Sequence, residues 1–351
     1  MLLYIHIPFC DSKCSYCAFN SYVDKFHLKE LYIKALELQF DFEIKNFNIE
    51  KNSIETLFIG GGTPSTIDPL LYTKLLKKLS PYLKKNIEIT SEANPNSASI
   101  EWLKGMFDLG VNRISFGTQS FDDKKLKLLN RAHSSTQAID AVKNAQELGF
   151  KNISLDLIYA TAGDTKELLE NDLNIAFSLP INHLSAYALT IEEGTPFETK
   201  PQMAKEKLEL TSWFFKKINS SGFKQYEISN FGTYQSKHNL GYWEYKDYIG
   251  LGSGAVGKLK NQRFYPTTNI ENYIDNPTFR EVEILSDEDI KIEKIFLGLR
   301  SCVGIKKDIL NKNELTQVHI LVSEKKLYIK NDTFYNYDYL LADEIALFIS
   351  S

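Results

Sequence analysis

"CDSKCSYCAFN" occupies residues 10–20 and holds three of the chain's four cysteines, in the spacing C-x3-C-x2-C. It follows a short apolar run, LLYIHI at 2–7, so the three thiols hang on the loop that leaves a first buried strand. Three thiolates on one tight loop can fill three corners of a soft-metal site. Structural zinc wants four ligands, typically in two separated pairs, and no second pair is present. An iron–sulfur cluster with one iron left open matches the count. Zinc with His6 as a fourth ligand, or three unrelated buried thiols, are the alternatives. The remaining cysteine, Cys302, is expected to be a plain buried thiol.

Working outward, the same unit recurs: an apolar run, a polar or Gly-rich end, then an amphipathic stretch. The runs lie at 2–7, 55–59, 87–90, 113–116, 153–157 and 183–188, and the helical patterns at 25–46, 69–82, 100–109, 136–148 and 165–177. In the first helix, Leu31, Ala35, Leu38 and Phe42 are spaced as a core-facing stripe. Such alternation predicts parallel strands with right-handed crossovers, hence an α/β barrel or open sheet. In either, functional groups gather beyond the carboxyl ends of the strands. Those ends read GGGTPS (60–65), SEANP (91–95), FGTQS (116–120), LDLIY (155–159) and AYALT (186–190).

After Thr190 the rhythm breaks. EEGTP (192–196) reads as a loop, 205–218 as a helix, and YEISNFG (226–232) as a strand leading into an aromatic, Gly-rich stretch. A helix is predicted over 286–299 with Ser286 as N-cap, a hairpin over 327–337 turning at Asn331-Asp332, and a closing helix over 341–349. The expected organisation is a barrel over 1–225, a bridging segment over 226–276 and a small α+β domain over 277–351, with its first helix from about 287.

A hydrophobic share of 43% with 25% charged residues is ordinary for a soluble globular chain. The net charge of −4 gives no bulk attraction to nucleic acid or to an anionic membrane. MLLYIHIPF lacks a basic n-region, and no apolar stretch is long enough to span a bilayer, so a cytoplasmic location is expected. There thiols stay reduced, which favours metal chemistry over disulfides.

The cysteine spacing, with aromatic Tyr16 before the third cysteine, resembles that of the radical S-adenosylmethionine (SAM) superfamily. The resemblance implies a partial (β/α)6 barrel followed by a small α+β domain. It also implies a [4Fe-4S] cluster on Cys10, Cys14 and Cys17, whose open iron is chelated by SAM and whose electron cleaves the sulfonium to a 5′-deoxyadenosyl radical. Gly61, Gly62 and Thr63 would then meet the SAM amino group, and Glu92 the ribose hydroxyls or amino group. Read without it, GGGTPS is an ordinary strand-to-helix turn. It is not a phosphate loop of the Gly-Lys-Ser/Thr kind.

YIHIPFC, GGGTPS, SEANP, RISFGTQSF, LNRAHS and LDLIY together resemble the family of oxygen-independent coproporphyrinogen III oxidases and its haem-chaperone branch. Carried over by position, Tyr4 would lie near the sulfonium and Tyr16 on the adenine side, with Gln119, Arg131 and Asp156 binding a second SAM. On their own, Arg131 could pair with a helix carboxylate and Asp156 could cap a helix. Phe19 stands where the oxidases carry a further cysteine, and their N-terminal extension is missing. HNLGYW (238–243) matches the chaperones' H-N-x-x-Y-W motif, implying haem held by His238, Tyr242 and Trp243, although a histidine in an aromatic stretch is also a common core residue. Where the family continues Gly-Leu-Pro-Gly after LDLIY, this chain has Ala160-Thr161-Ala162-Gly163. The expected function is a haem chaperone with a SAM-chelated cluster; the alternative is a coproporphyrinogen III oxidase or dehydrogenase. The implied partners are haem, an unnamed haem acceptor in solution or at a membrane, and an electron donor for the cluster.

Overall fold

The computed structural model describes residues 1–350. The strands are β1 Leu2–Ile7, β2 Ile54–Gly61, β3 Leu83–Ala93, β4 Arg113–Gln119, β5 Asn152–Tyr159, β6 His183–Ala188, β7 Lys224–Gln225, β8 Asn230–Gly232, β9 Tyr248–Leu251, β10 Gly257–Leu259, β11 Gln262–Pro266 and β12 Arg280–Ile284, then β13 Ile305–Lys306, β14 Leu327–Lys330 and β15 Thr333–Asn336. The helices are α1 Lys29–Asn46, α2 Pro69–Leu79, α3 Ile100–Asp108, α4 Asp123–Leu128, α5 Ser135–Glu147, α6 Lys166–Ser178, α7 Leu208–Ser220, α8 Lys237–Trp243, α9 Ile270–Asp275, α10 Asp287–Leu299, α11 Lys312–Ser323 and α12 Ala342–Ile349.

β1 to β6 lie side by side in chain order, each parallel to the next. This is the partial (β/α)6 barrel that strand–helix alternation demands. The sheet then grows at both ends. β8 and β7 add antiparallel beside β6, and β9 adds parallel beside β1, followed by antiparallel β10, β11 and β12. Residues 226–276, expected as a bridge, therefore contribute strands to the large sheet. Of YEISNFG only Asn230–Gly232 is strand. Its first half turns to meet the C-terminal domain, where Ile228 N donates to Arg300 O and Cys302 N to Tyr226 O. That domain has its own core, built from Ile295, Leu299, Val318, Phe334, Ile345 and their neighbours around β13, β15 and β14.

Helix starts follow their capping residues. Ser134 and Ser286 form capping boxes with Gln137 and Asp289, and Asp122 opens the unforeseen α4. The α1 stripe is rotated from its expected position: Leu31 and Leu38 are 48% and 58% exposed, while Tyr32, Leu36, Gln39, Phe40 and Glu43 are buried. Polar side chains on that face have partners the apolar pattern cannot reveal. Gln39 donates to Gly250 O and accepts from Gly252 N, Tyr32 donates to His6 O, and Glu43 accepts from Arg280. Among the described residues no helix is long and apolar enough to cross a membrane.

Candidate functional site: a cysteine loop at the barrel mouth

The loop after β1 brings Cys10, Cys14 and Cys17 to the carboxyl end of the barrel, with Cys10 and Cys14 buried. Cys10 N donates to Tyr22 O and Tyr22 N to Pro8 O, which closes the loop back on its own base. Gly62 follows β2 and packs so tightly on the loop that a Cβ there would lie 2.9 Å from Phe9 O and 3.0 Å from Cys10 Sγ. Gly61 has φ +111°, and its Cβ would lie 2.4 Å from His6 Nδ1. The glycine run is thus required by its neighbours as well as by any ligand.

Donors surround the thiols. Thr63 Oγ1 donates to Cys10 Sγ at 3.4 Å and Arg131 Nη1 to Cys14 Sγ at 3.1 Å. Arg131 Nη2 also donates to Asn94 Oδ1 (2.7 Å) and Gly117 O (2.5 Å), leaving its buried Nε with no partner. Gln119, at φ +68° beside a break in the β4–β5 register, converges with Arg131 and Asn94 over Gly117. A left-handed conformation in a non-glycine residue at a strand's functional end is stored strain.

Beneath the mouth the lumen is acidic. Glu92 accepts from Gly61 N at 3.1 Å, and burial, with Asp156 nearby, pushes its carboxyl up to about 7. Asp156 accepts from Ser115, and burial raises it as well. Tyr4 Oη lies 3.0 Å from His6 Nδ1 and its ring borders Phe58. Tyr16 packs with Leu129, Ile158, Leu189 and Phe197 above the cysteines.

His6 is not a metal ligand here. Its Nε2 faces Asn20 O at 2.8 Å and so carries the proton, and Nδ1 accepts from Tyr4. Among the described residues no three His, Cys, Asp or Glu side chains converge as ligands of one ion would. The zinc alternative has no fourth ligand. In a [4Fe-4S] cluster each thiolate takes its own iron and the sulfurs need not converge. Two thiols already facing donors, and an orphaned buried Arg131 Nε, fit such a group. When bound, such a cluster would supply an electron to SAM; Cys10, Cys14 and Cys17 would hold it, with Arg131 beside them and Glu92 as an acceptor below Gly61.

The HNxxYW residues lie elsewhere. His238 Nδ1 is 2.7 Å from Thr56 Oγ1, near the start of β2, and Nε2 is 3.1 Å from Tyr242 Oη. Five residues of strand separate Thr56 from Gly61, roughly 16 Å. The His238 ring lies against Phe58, and Glu88 accepts from the backbone N–H groups of Lys237 and His238. Burial pushes the imidazole down to about 3, so it is neutral. α8 therefore closes the base of the barrel, with Tyr242 against Tyr248 and Trp243 half-buried. His238 was expected as an axial ligand; in this arrangement the ring is buried and both nitrogens are engaged by Thr56 and Tyr242. Cys302, expected to be buried, is exposed.

Two features escaped the sequence reading. One is Asn94, although it sits in the noted SEANP turn. The other is the buried Lys125–Asp164 pair, 2.7 Å apart, which fixes the Ala160–Asp164 loop to α4. Ala160, where the family has glycine, has φ +62°.

Residues 4–176 match the family model described as "Radical SAM superfamily". Mouth, cysteine loop and parallel barrel together define a radical SAM protein. The chain is 36% identical over 322 residues to "Heme chaperone HemW" of Bacillus subtilis, covering 87% of this chain and 84% of that protein. Against "Heme chaperone HemW" of Escherichia coli it is 39% identical, covering 73% and 70%. Within the radical SAM class, then, this chain belongs to the HemW family. The solved coproporphyrinogen III oxidase HemN of Escherichia coli shares the fold, with a TM-score of 0.82 at 20% identity over 100% of this chain and 90% of that one.

Proposed function

We propose that this protein is a haem chaperone, binding haem as cargo and passing it to an acceptor protein, with a SAM-chelated [4Fe-4S] cluster at the barrel mouth. The observation that carries the reading is its kinship with HemW over more than four fifths of both chains. Cys10, Cys14 and Cys17 hold the cluster. Gly61, Gly62 and Thr63 meet the SAM amino group, Glu92 the ribose hydroxyls or amino group, with Tyr4 near the sulfonium and Tyr16 on the adenine side. Gln119 and Asp156 line the same mouth and lumen, and Arg131 serves the cluster rim, since both its terminal nitrogens are already committed there. His238, Tyr242 and Trp243 pack the base of the barrel, and an axial bond from His238 to haem iron would require its ring to leave Thr56 and Tyr242. The test is anaerobic titration of the cluster-loaded protein with haem, alongside incubation with coproporphyrinogen III, SAM and reductant. A saturable Soret band with no protoporphyrinogen formed supports the chaperone; turnover without haem binding replaces it with the oxidase.

A further inference from the structure

We propose that Asn94 is a positioning residue for the cluster: it ties Thr63 and Arg131 into one polar arch that aims two hydrogen bonds at the cysteine sulfurs and raises the cluster's reduction potential. The proposal rests on reading Cys10, Cys14 and Cys17 as cluster ligands.

The arch is continuous. Arg131 Nη1 donates to Cys14 Sγ at 3.1 Å, and Arg131 Nη2 donates to Asn94 Oδ1 at 2.7 Å. Asn94 Nδ2 donates to Thr63 Oγ1 at 3.1 Å, and Thr63 Oγ1 donates to Cys10 Sγ at 3.4 Å. Its direction is forced from one end. A guanidinium has donors only, so it must be met by the amide oxygen of Asn94. The amide nitrogen is then turned towards Thr63, where it can only donate. That occupies a lone pair of the hydroxyl and leaves its single proton for the sulfur. Asn94 is itself held: its backbone N donates to Ser65 Oγ at 3.0 Å, and its carbonyl accepts from Ser97 N and Ala98 N. Thr63 is 1% exposed, so its hydroxyl has no bulk water to turn to.

Hydrogen bonds to cluster sulfurs and a nearby cation favour the more negative, reduced state, because added electron density on sulfur is met by donors already in place. Asn94 touches no sulfur. It acts by choosing which way the Thr63 proton points.

An aspartate at this position accepts from both neighbours. It would take the Thr63 proton away from Cys10 and add a negative charge beside the cluster. The experiment is an EPR-monitored redox titration of the anaerobically reconstituted full chain, without SAM, using dithionite as reductant and with iron and sulfide counted. Asn94→Asp and Thr63→Val are expected to give a midpoint more negative than wild type at equal cluster content. Thr63→Ser is expected to match wild type, and Asn94→Ala to add less in the Thr63→Val background than alone. Should Asn94→Asp fail to assemble a cluster, the comparison of Thr63→Val with Thr63→Ser still decides. Equal midpoints across loaded Thr63→Val, Thr63→Ser and wild type overturn the arch alone. A wild-type protein with no [4Fe-4S] signal overturns the reading of the cysteines and the arch with it.

Discussion

Gly61 shows how one residue can answer to two masters. Any side chain there must adopt φ +111° and place its Cβ 2.4 Å from His6 Nδ1. The first demand costs about 1–2 kcal/mol, and displacing a buried, doubly bonded imidazole adds overpacking of about 1–3 kcal/mol. Gly61→Ala is therefore expected to lower the stability of the metal-free protein by about 2–5 kcal/mol, read by urea denaturation, as well as its SAM affinity. Loss of SAM binding alone would not identify the cradle. Pairing the change with His6→Ala separates the effects: the double variant should lose less stability than the two single losses summed. If the losses simply add, His6 is not what excludes a Cβ. The cysteines give a simpler expectation. Cys10→Ala, Cys14→Ala or Cys17→Ala should each abolish stable cluster assembly, whereas Cys302→Ala, an exposed thiol outside the cysteine loop, should leave iron and sulfide content unchanged. Full cluster content in Cys14→Ala would contradict the ligand set.

α8 is the element whose meaning changed most between sequence and structure. Its motif was visible as HNLGYW, and aromatic rings around a histidine can equally build a haem wall or a packed plug. Which one they build depends on Thr56, Phe58 and Glu88, residues about 150–180 positions earlier that no local pattern links to His238. The same limit explains α1, whose buried Gln39 and Glu43 are satisfied by residues beyond 250 or by Arg280. By contrast, the cysteine loop, the strand–helix alternation of β1 to β6 and the Ser286 cap were legible because spacing, alternation and capping chemistry act within a few residues. If α8 is a plug, removing the imidazole leaves Thr56 and Tyr242 without their shared partner and opens a cavity behind Phe58. His238→Ala should then cost about 2–4 kcal/mol of stability. Haem added to that variant should give a Soret band in the wild-type position. A shifted band would mean that α8 leaves the base and His238 does reach iron.

Across the whole molecule, the two cores meet at a strip of backbone, 226–228 against 300–302, and a buried carboxyl sits within it. Glu227 is 1% exposed, accepts from Ser229 N and bridges to Ser301. Burial pushes its carboxyl up to about 7, against an ordinary 4.5, with the hydrogen bonds from Ser229 and Asn230 pulling the other way. A carboxyl raised in the folded state binds its proton more tightly there than in the unfolded chain. Its contribution to stability is therefore complete below about pH 4.5 and is lost as pH rises through about 7. The proton on Glu227 thus helps to hold the C-terminal domain against the barrel. Glu227→Gln mimics the protonated form and keeps an acceptor for Ser229 N. The variant should match wild type at pH 4 and exceed it at pH 8, by up to about 3 kcal/mol, in urea denaturation of the reduced, metal-free protein. Glu92 and Asp156 bend the pH profile in the same direction, but they are present in both proteins and cancel in the difference. A variant less stable than wild type at pH 8 would show that the Glu227 charge is itself what the junction needs, with a partner cation yet to be found. Among the described residues no salt bridge includes Glu227, and its partners are the neutral donors of Ser229 and Asn230, so the opposite outcome is the one the junction's chemistry supports.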